Sequence, residues 1–207
     1  MAKVHPNMEA YNCIGADVEV YSDDRKDGRV LTVWRKSLLF SCSGFTVFDN
    51  EGNLVFRVDN YGSGRAGEIV LMDAAGKPLL TVRRKKLSLG EKWKIYDGEG
   101  ADDPVYSVKK RYAKAALAHV AACRRHGSGG GGRYEVEGSY SNRSCTMYDE
   151  HRRAVAEVRR KEAVGGVGFG DDVYRLVVRA AADACFAMAV VVVLDQMFGS
   201  RVSLIKG

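Results

Sequence analysis

Proline is scarce in this 207-residue chain, with three residues, and its five cysteines are scattered without a C-x-x-C pair. The first scarcity leaves long stretches free to pair in a sheet or wind into a helix. The second excludes the short-spaced zinc and redox motifs, so no metal or cofactor is expected, and each cysteine reads as a small buried or half-buried apolar residue. No apolar run approaches the roughly 20 residues that a membrane-spanning helix needs. Met1 to Tyr11 lacks the apolar stretch of a secretory leader. A cytoplasmic protein with reduced thiols and no transmembrane segment is therefore expected. Neither sign of charge dominates: Lys plus Arg (32) against Asp plus Glu (26) leaves a net charge of +6. That excludes the dense positive charge of a histone-like binder and leaves a mild lean towards anionic surfaces. The aromatic residues follow strand periodicity and form no stacking platform, which disfavours nucleic acid as a partner.

What is present is globular in composition, with 46% hydrophobic and 28% charged residues. From Val18 to Ala180 the dominant period is two. Val30, Thr32 and Trp34 alternate with Leu31, Val33 and Arg35; Leu54, Phe56 and Val58 alternate with Val55, Arg57 and Asp59; Tyr174, Leu176 and Val178 alternate with Arg175, Val177 and Arg179. Each reads as a short strand with one apolar face, and the set predicts an antiparallel sandwich or barrel. A tail at 1–16 precedes a single domain at 17–207, expected to be a monomer.

A turn pattern recurs. Asp49, Asp73 and Asp97 lie 24 residues apart, each ends an apolar strand, and Gly52, Gly76 and Gly100 follow three residues later. Asp bonds its own turn backbone and Gly supplies the positive φ that closes a hairpin. Asp149 opens a fourth copy, with Arg152 where glycine stands elsewhere. The pattern predicts successive hairpins of a meander. The alanine-rich stretch from Tyr112 to Arg125 predicts a short helix or an irregular excursion, and a flexible glycine-rich loop is expected at 126–133.

The last element stands apart. Ala184 to Leu194 is an unbroken apolar run between Asp183 and Asp195. It is too short to span a membrane, and Val190 to Val193 would suit a buried strand. A buried helix at about 183–198 fits best, with Asp183 as N-cap and Gly199 past its end. A helix apolar all round must be surrounded, and among strands a closed barrel threaded by the helix does this. Asp195 then needs a place at the barrel mouth or a basic partner.

Three stretches together resemble the plant LURP-one-related family: Gly44–Asp49 continuing through Asn53–Asp59, Val70–Leu80, and the apolar end at Val193–Asp195. The resemblance runs from about Tyr11 to Gly199. It implies a tubby C-terminal-like fold, a mainly β, closed antiparallel barrel of about twelve strands around a central hydrophobic C-terminal helix. The family's function is poorly defined: a founding member is associated with plant defence, and tubby proteins of the same fold bind phosphoinositides. The resemblance carries over no lipid-binding residue.

Charge supplies the one functional hint of the residues themselves. Basic clusters occur at Arg83, Arg84, Lys85 and Lys86, at Lys109, Lys110 and Arg111, and at Arg124–Arg125, Arg152–Arg153 and Arg159–Lys161. They fall at strand ends, so several could share one barrel rim and face anionic phospholipid headgroups; their ordinary role is to cover exposed strands and block edge pairing. Arg83 to Lys86 and Lys109 to Arg111 are the candidate contacts, on a non-enzymatic protein peripheral to the membrane. The alternative is an intracellular scaffold for an unidentified protein partner in defence signalling. No catalytic residue is singled out. Gly62 to Gly67 matches G-x-G-x-x-G but leads into a strand and lacks the helix N-terminus that binds pyrophosphate. Cys145 and His151 flank one strand, a chance pairing more than a nucleophile and base. No large internal cavity is expected beside the helix.

Overall fold

The computed structural model describes residues 28–36, 38, 43–60, 68–85, 90–112, 116–123, 132–162 and 170–199. The expected tail at 1–16, the glycine loop at 62–67, Lys86, Arg124, Arg125 and most of the 126–133 loop lie outside them. Twelve strands run in chain order: β1 (Gly28–Trp34), β2 (Ser43–Phe48), β3 (Leu54–Asn60), β4 (Glu68–Asp73), β5 (Pro78–Arg84), β6 (Lys92–Asp97), β7 (Pro104–Lys110), β8 (Ala116–Ala122), β9 (Arg133–Ser139), β10 (Ser144–Tyr148), β11 (Ala154–Arg160) and β12 (Val173–Arg179). A single helix, α1 (Ala184–Phe198), follows. Every strand pairs antiparallel with its chain neighbours, and β12 pairs with β1 from Gly28–Arg179 to Trp34–Val173, closing the barrel.

The alternation read from the sequence sets which side chains enter the barrel. Leu31 and Val33, Val82, Trp93 and Ile95, Val108, Val136, and Tyr174, Leu176 and Val178 are all buried. Phe186 to Leu194 of α1 are buried without a break. A run of four valines costs helix propensity, by roughly 0.5 kcal/mol each against alanine. The helix forms nonetheless because a closed barrel offers no strand edge inside, and a helix satisfies its own backbone groups. Between α1 and β9–β12 lies a void of about 20 Å³, lined by Val136, Cys145, Met147, Ala156, Val190 and Leu194 among others. Asp183 caps the helix, its carboxylate accepting from the Cys185 amide at 2.8 Å. Gly199 ends it in extended backbone, φ −60°, and not in the left-handed form of a C-terminal glycine. Its role is steric, since a Cβ there would collide with the Asp195 carbonyl.

Three hairpin turns are built alike. The Asp49, Asp73 and Asp149 carboxylates accept backbone amides of their own turns, from Asn53, Lys77 and Arg153 at 2.8–2.9 Å. Gly76 takes φ 88°, and Arg152 takes φ 62° at the matching place. Arg152 holds this costly conformation while bonding Glu137 and lying over the Tyr148 ring. The alanine-rich stretch corrects an expectation: Ala116–Ala122 is strand β8. Ala118 and Val120 point inward and are fully buried, while its neighbours β7 and β9 supply the backbone partners. Tertiary pairing outweighs alanine's helix preference.

Asp195, the one acid on the buried stretch of α1, is 7% exposed and pairs with Arg35 just past β1, Nε to Oδ1 2.9 Å. The Tyr140 hydroxyl donates to the same oxygen at 3.3 Å and lies 3.1 Å from the Tyr174 hydroxyl. Arg143 stacks on both tyrosine rings and donates to the Asp171 carbonyl. Burial pushes both phenols well above their ordinary range, so they stay neutral. Replacing Arg35 by Met leaves the carboxylate buried without a cation. We expect a loss of about 2–4 kcal/mol in urea unfolding, most of it recovered in Arg35→Met/Asp195→Leu.

Candidate functional site

An up-and-down barrel has two unlike rims. The rim at the start of α1 carries the hairpin turns with Asp49, Asp73, Asp97 and Asp149, and Asp183 itself. The rim at the end of α1 carries the ends of the odd-numbered strands and the starts of the even-numbered ones. The positive end of the helix dipole thus faces aspartates. At the negative end Lys110 Nζ reaches the Met197 carbonyl at 3.1 Å.

Most basic clusters fall on the second rim. Arg84 and Lys85, Lys92, and Lys109 to Arg111 lie at this end of the adjacent strands β5, β6 and β7, while Arg159 to Lys161 end β11 elsewhere on the ring. Arg152 and Arg153 belong to the opposite rim.

Register separates the candidates by role. Arg83 is taken internally: it bonds Glu68 at 3.0 Å, donates to the Ala101 carbonyl at 2.8 Å, and lies over the Tyr96 ring. Burial pulls its pKa down, but the Glu68 hydrogen bond and charge outweigh it and hold the guanidinium more firmly charged than usual. Arg84 and Lys110 both reach Glu91, at 3.6 and 3.0 Å, and Lys110 also caps the end of the helix. Lys85, Lys109 and Arg111 are exposed, and none meets a carboxylate among the described residues.

The structure adds Lys92, Lys94 and His119 to the wall. The Lys85 amide bonds the Lys92 carbonyl; Lys92 stands opposite Lys109, and Lys109 opposite His119. Lys94 stands opposite Arg83. A row of basic side chains therefore crosses four adjacent strands on the outer face, neighbours roughly 5 Å apart. The alternation Lys92-Trp93-Lys94-Ile95, with Trp93 and Ile95 inward, carries this signal in the sequence. Its lysines are isolated, not clustered, so a search for basic clusters passes over them.

The structure does not bring Cys145 and His151 together. Cys145 is buried at one end of β10, with its thiol pushed up to about 12 by burial, and His151 lies in the turn beyond the other end. Two open clefts flank the start of α1: one of about 520 Å³ beside Gly28, Phe56 and Asp183, and one of about 450 Å³ beside Tyr106, Tyr134 and Phe186. Among the described residues no helix is long and apolar enough to cross a membrane.

Comparison with known proteins agrees with this architecture. The LURP-one-related family profile matches residues 29–195. Protein LURP-one-related 8 of Arabidopsis thaliana is 48% identical, covering 97% of this chain and 100% of its own length. Protein LURP-one-related 5 of the same plant is 43% identical, covering 83% of this chain and 84% of its own. An X-ray structure of an Arabidopsis thaliana protein superposes with a TM-score of 0.59 at 25% identity, covering 82% of this chain and 91% of that one.

Like charges directly opposite in a sheet repel. Lys92→Glu, which places a carboxylate opposite Lys109, is expected to raise stability by about 0.3–1 kcal/mol in urea unfolding. A fall would show that the Lys92–Lys109 pair carries no repulsion to relieve.

Proposed function

The chain belongs to the LURP-one-related family, and on that premise we propose that it is a non-enzymatic, cytoplasmic module that docks on membranes by binding anionic phospholipid headgroups. The contact is the outer wall at the ends of β5, β6 and β7, with Lys85, Lys92, Lys94, Lys109 and Arg111 as the charged groups and His119 at its margin. The observation that carries the reading is the register of Lys92 against Lys109 with Lys85 alongside. Folding alone gains nothing from that placement, whereas a polyanionic surface gains from each cation. A membrane's negative potential favours each nearby lysine by roughly 1 kcal/mol and fades over a Debye length of about 8 Å at physiological salt.

Arg83, Arg84 and Lys110 serve the barrel in this reading, because their charge is already met by Glu68 and Glu91. The non-enzymatic part rests on the chemistry of the candidate groups. The Cys145 and Cys185 thiols are held protonated by burial, each pushed up to about 12. The Asp49 carboxylate is engaged by the side chain and backbone of Asn53 in its own turn.

Sedimentation with phosphatidylcholine vesicles, with or without phosphatidylserine or phosphatidylinositol bisphosphate, tests the proposal. Binding is expected only to the anionic vesicles and should weaken with salt. Changing Lys85, Lys92 and Lys109 together to Ala should lower affinity on the order of a hundredfold. Equal, negligible sedimentation with all three compositions at low salt would overturn it.

A further inference from the structure

The large hydrophobic side chains exposed among the described residues are Trp34, Leu38 and Tyr112, at 40%, 50% and 81% exposure. Their placement is not scattered. Trp34 ends β1 and Leu38 follows it; Tyr112 follows β7. Both strands end at the rim where α1 ends, since Arg35 binds Asp195 and Lys110 reaches the Met197 carbonyl. In the twelve-strand ring β1 and β7 lie half a turn apart, so the exposed apolar groups stand on opposite sides of one mouth. Each aromatic ring has a lysine beside it: Lys36 Nζ lies 5.2 Å from the Trp34 ring centre and Lys110 Nζ 5.8 Å from that of Tyr112. Asp49, Asp73, Asp97 and Asp149 occupy the other rim.

Tryptophan and tyrosine flanked by lysine suit the boundary between lipid headgroups and acyl chains, where the ring is sheltered and its polar edge stays wet. We infer that the barrel docks end-on upon a lipid bilayer, with the rim at the end of α1 facing it and Trp34, Leu38 and Tyr112 entering the headgroup boundary. This rests on the proposed binding of anionic headgroups and adds the bilayer itself as partner, as opposed to a soluble polyanion. Two apolar points on opposite sides of the mouth fix the tilt, and the basic ends of β5–β7 reach the surface beside Tyr112. Asp49, Asp73, Asp97 and Asp149 then point away from the membrane's negative charge, and Asp171 and Asp172 on the docking rim are met by Arg160 and Arg35.

The chain has two tryptophans, and Trp93 is 4% exposed inside the barrel, so Trp34 reports on this rim. The Trp93 indole N–H has no hydrogen-bond partner among the described residues, so Trp93→Phe breaks no bond seen there and leaves Trp34 as the sole tryptophan, which can be excited apart from the tyrosines. Circular dichroism checks its folding, and the unaltered protein is measured in parallel in case that variant does not fold. With phosphatidylserine vesicles that sediment the protein, Trp34 emission should shift to the blue and be quenched by brominated acyl chains. Inositol hexakisphosphate, which has the charge without a bilayer, should leave the emission unshifted. Trp34→Ala/Tyr112→Ala should weaken vesicle binding at least tenfold at a salt concentration where the unaltered protein still sediments. Sedimentation with unshifted, unquenched emission would overturn the end-on insertion and leave headgroup binding standing. The same shift with inositol hexakisphosphate alone would also overturn it. Absence of sedimentation would overturn both.

Discussion

A helix that is apolar on every side from Ala184 to Leu194 has to be enclosed, and the rest of the fold follows from that requirement. Enclosure on all sides by strands demands a closed ring, which is why β12 returns to pair with β1. Closure removes every sheet edge, and each strand must then present one apolar face inward. The price falls on the polar groups near the helix end. Asp195 is tolerable in that core because Arg35 and Tyr140 meet it, and because Arg143 packs against the two tyrosines beside it.

The same helix gives the barrel a direction. Its amino end meets the tight turns with their aspartates, and its carboxyl end meets the strand ends with their lysines and arginines. Arg84 and Lys110 share Glu91 there, and Lys110 reaches the helix end, whereas Lys85, Lys92 and Lys109 stand in a row on the outer face. One rim therefore holds two kinds of cation, those met by Glu91 and those that meet no carboxylate among the described residues. Function in this reading is a by-product of how the meander distributes its ends.

The sequence made the scaffold legible because its signals are local. Alternation put Val58 and Leu176 on apolar faces but left the inward face of β1 open, the Asp-x-x-Gly spacing marked the turns, and Arg152 stood in for glycine with the positive φ that position needs. The demand of Asp195 for a basic partner was legible too, though the identity of Arg35 was not, since the two are far apart in the chain. Strand β8 was misread because alanine content speaks for a helix until neighbouring strands are known. The candidate surface was half legible. Which cation is spent on Glu68 or Glu91 depends on cross-strand pairing, so Arg83, Arg84 and Lys110 looked the same as Lys85 and Lys109. Lys92 and Lys94 became visible only when β6 was set between its neighbours.

The central claim is that one rim of an otherwise sealed barrel meets an anionic surface. Amide hydrogen exchange, with and without phosphatidylserine vesicles, tests it most directly. The account predicts added protection at the ends of β5 and β7, the start of β6 and the segment after β1, with exchange unchanged in the turns around Asp49, Asp73 and Asp149. Protection confined to those turns, or spread evenly over both rims, would contradict it.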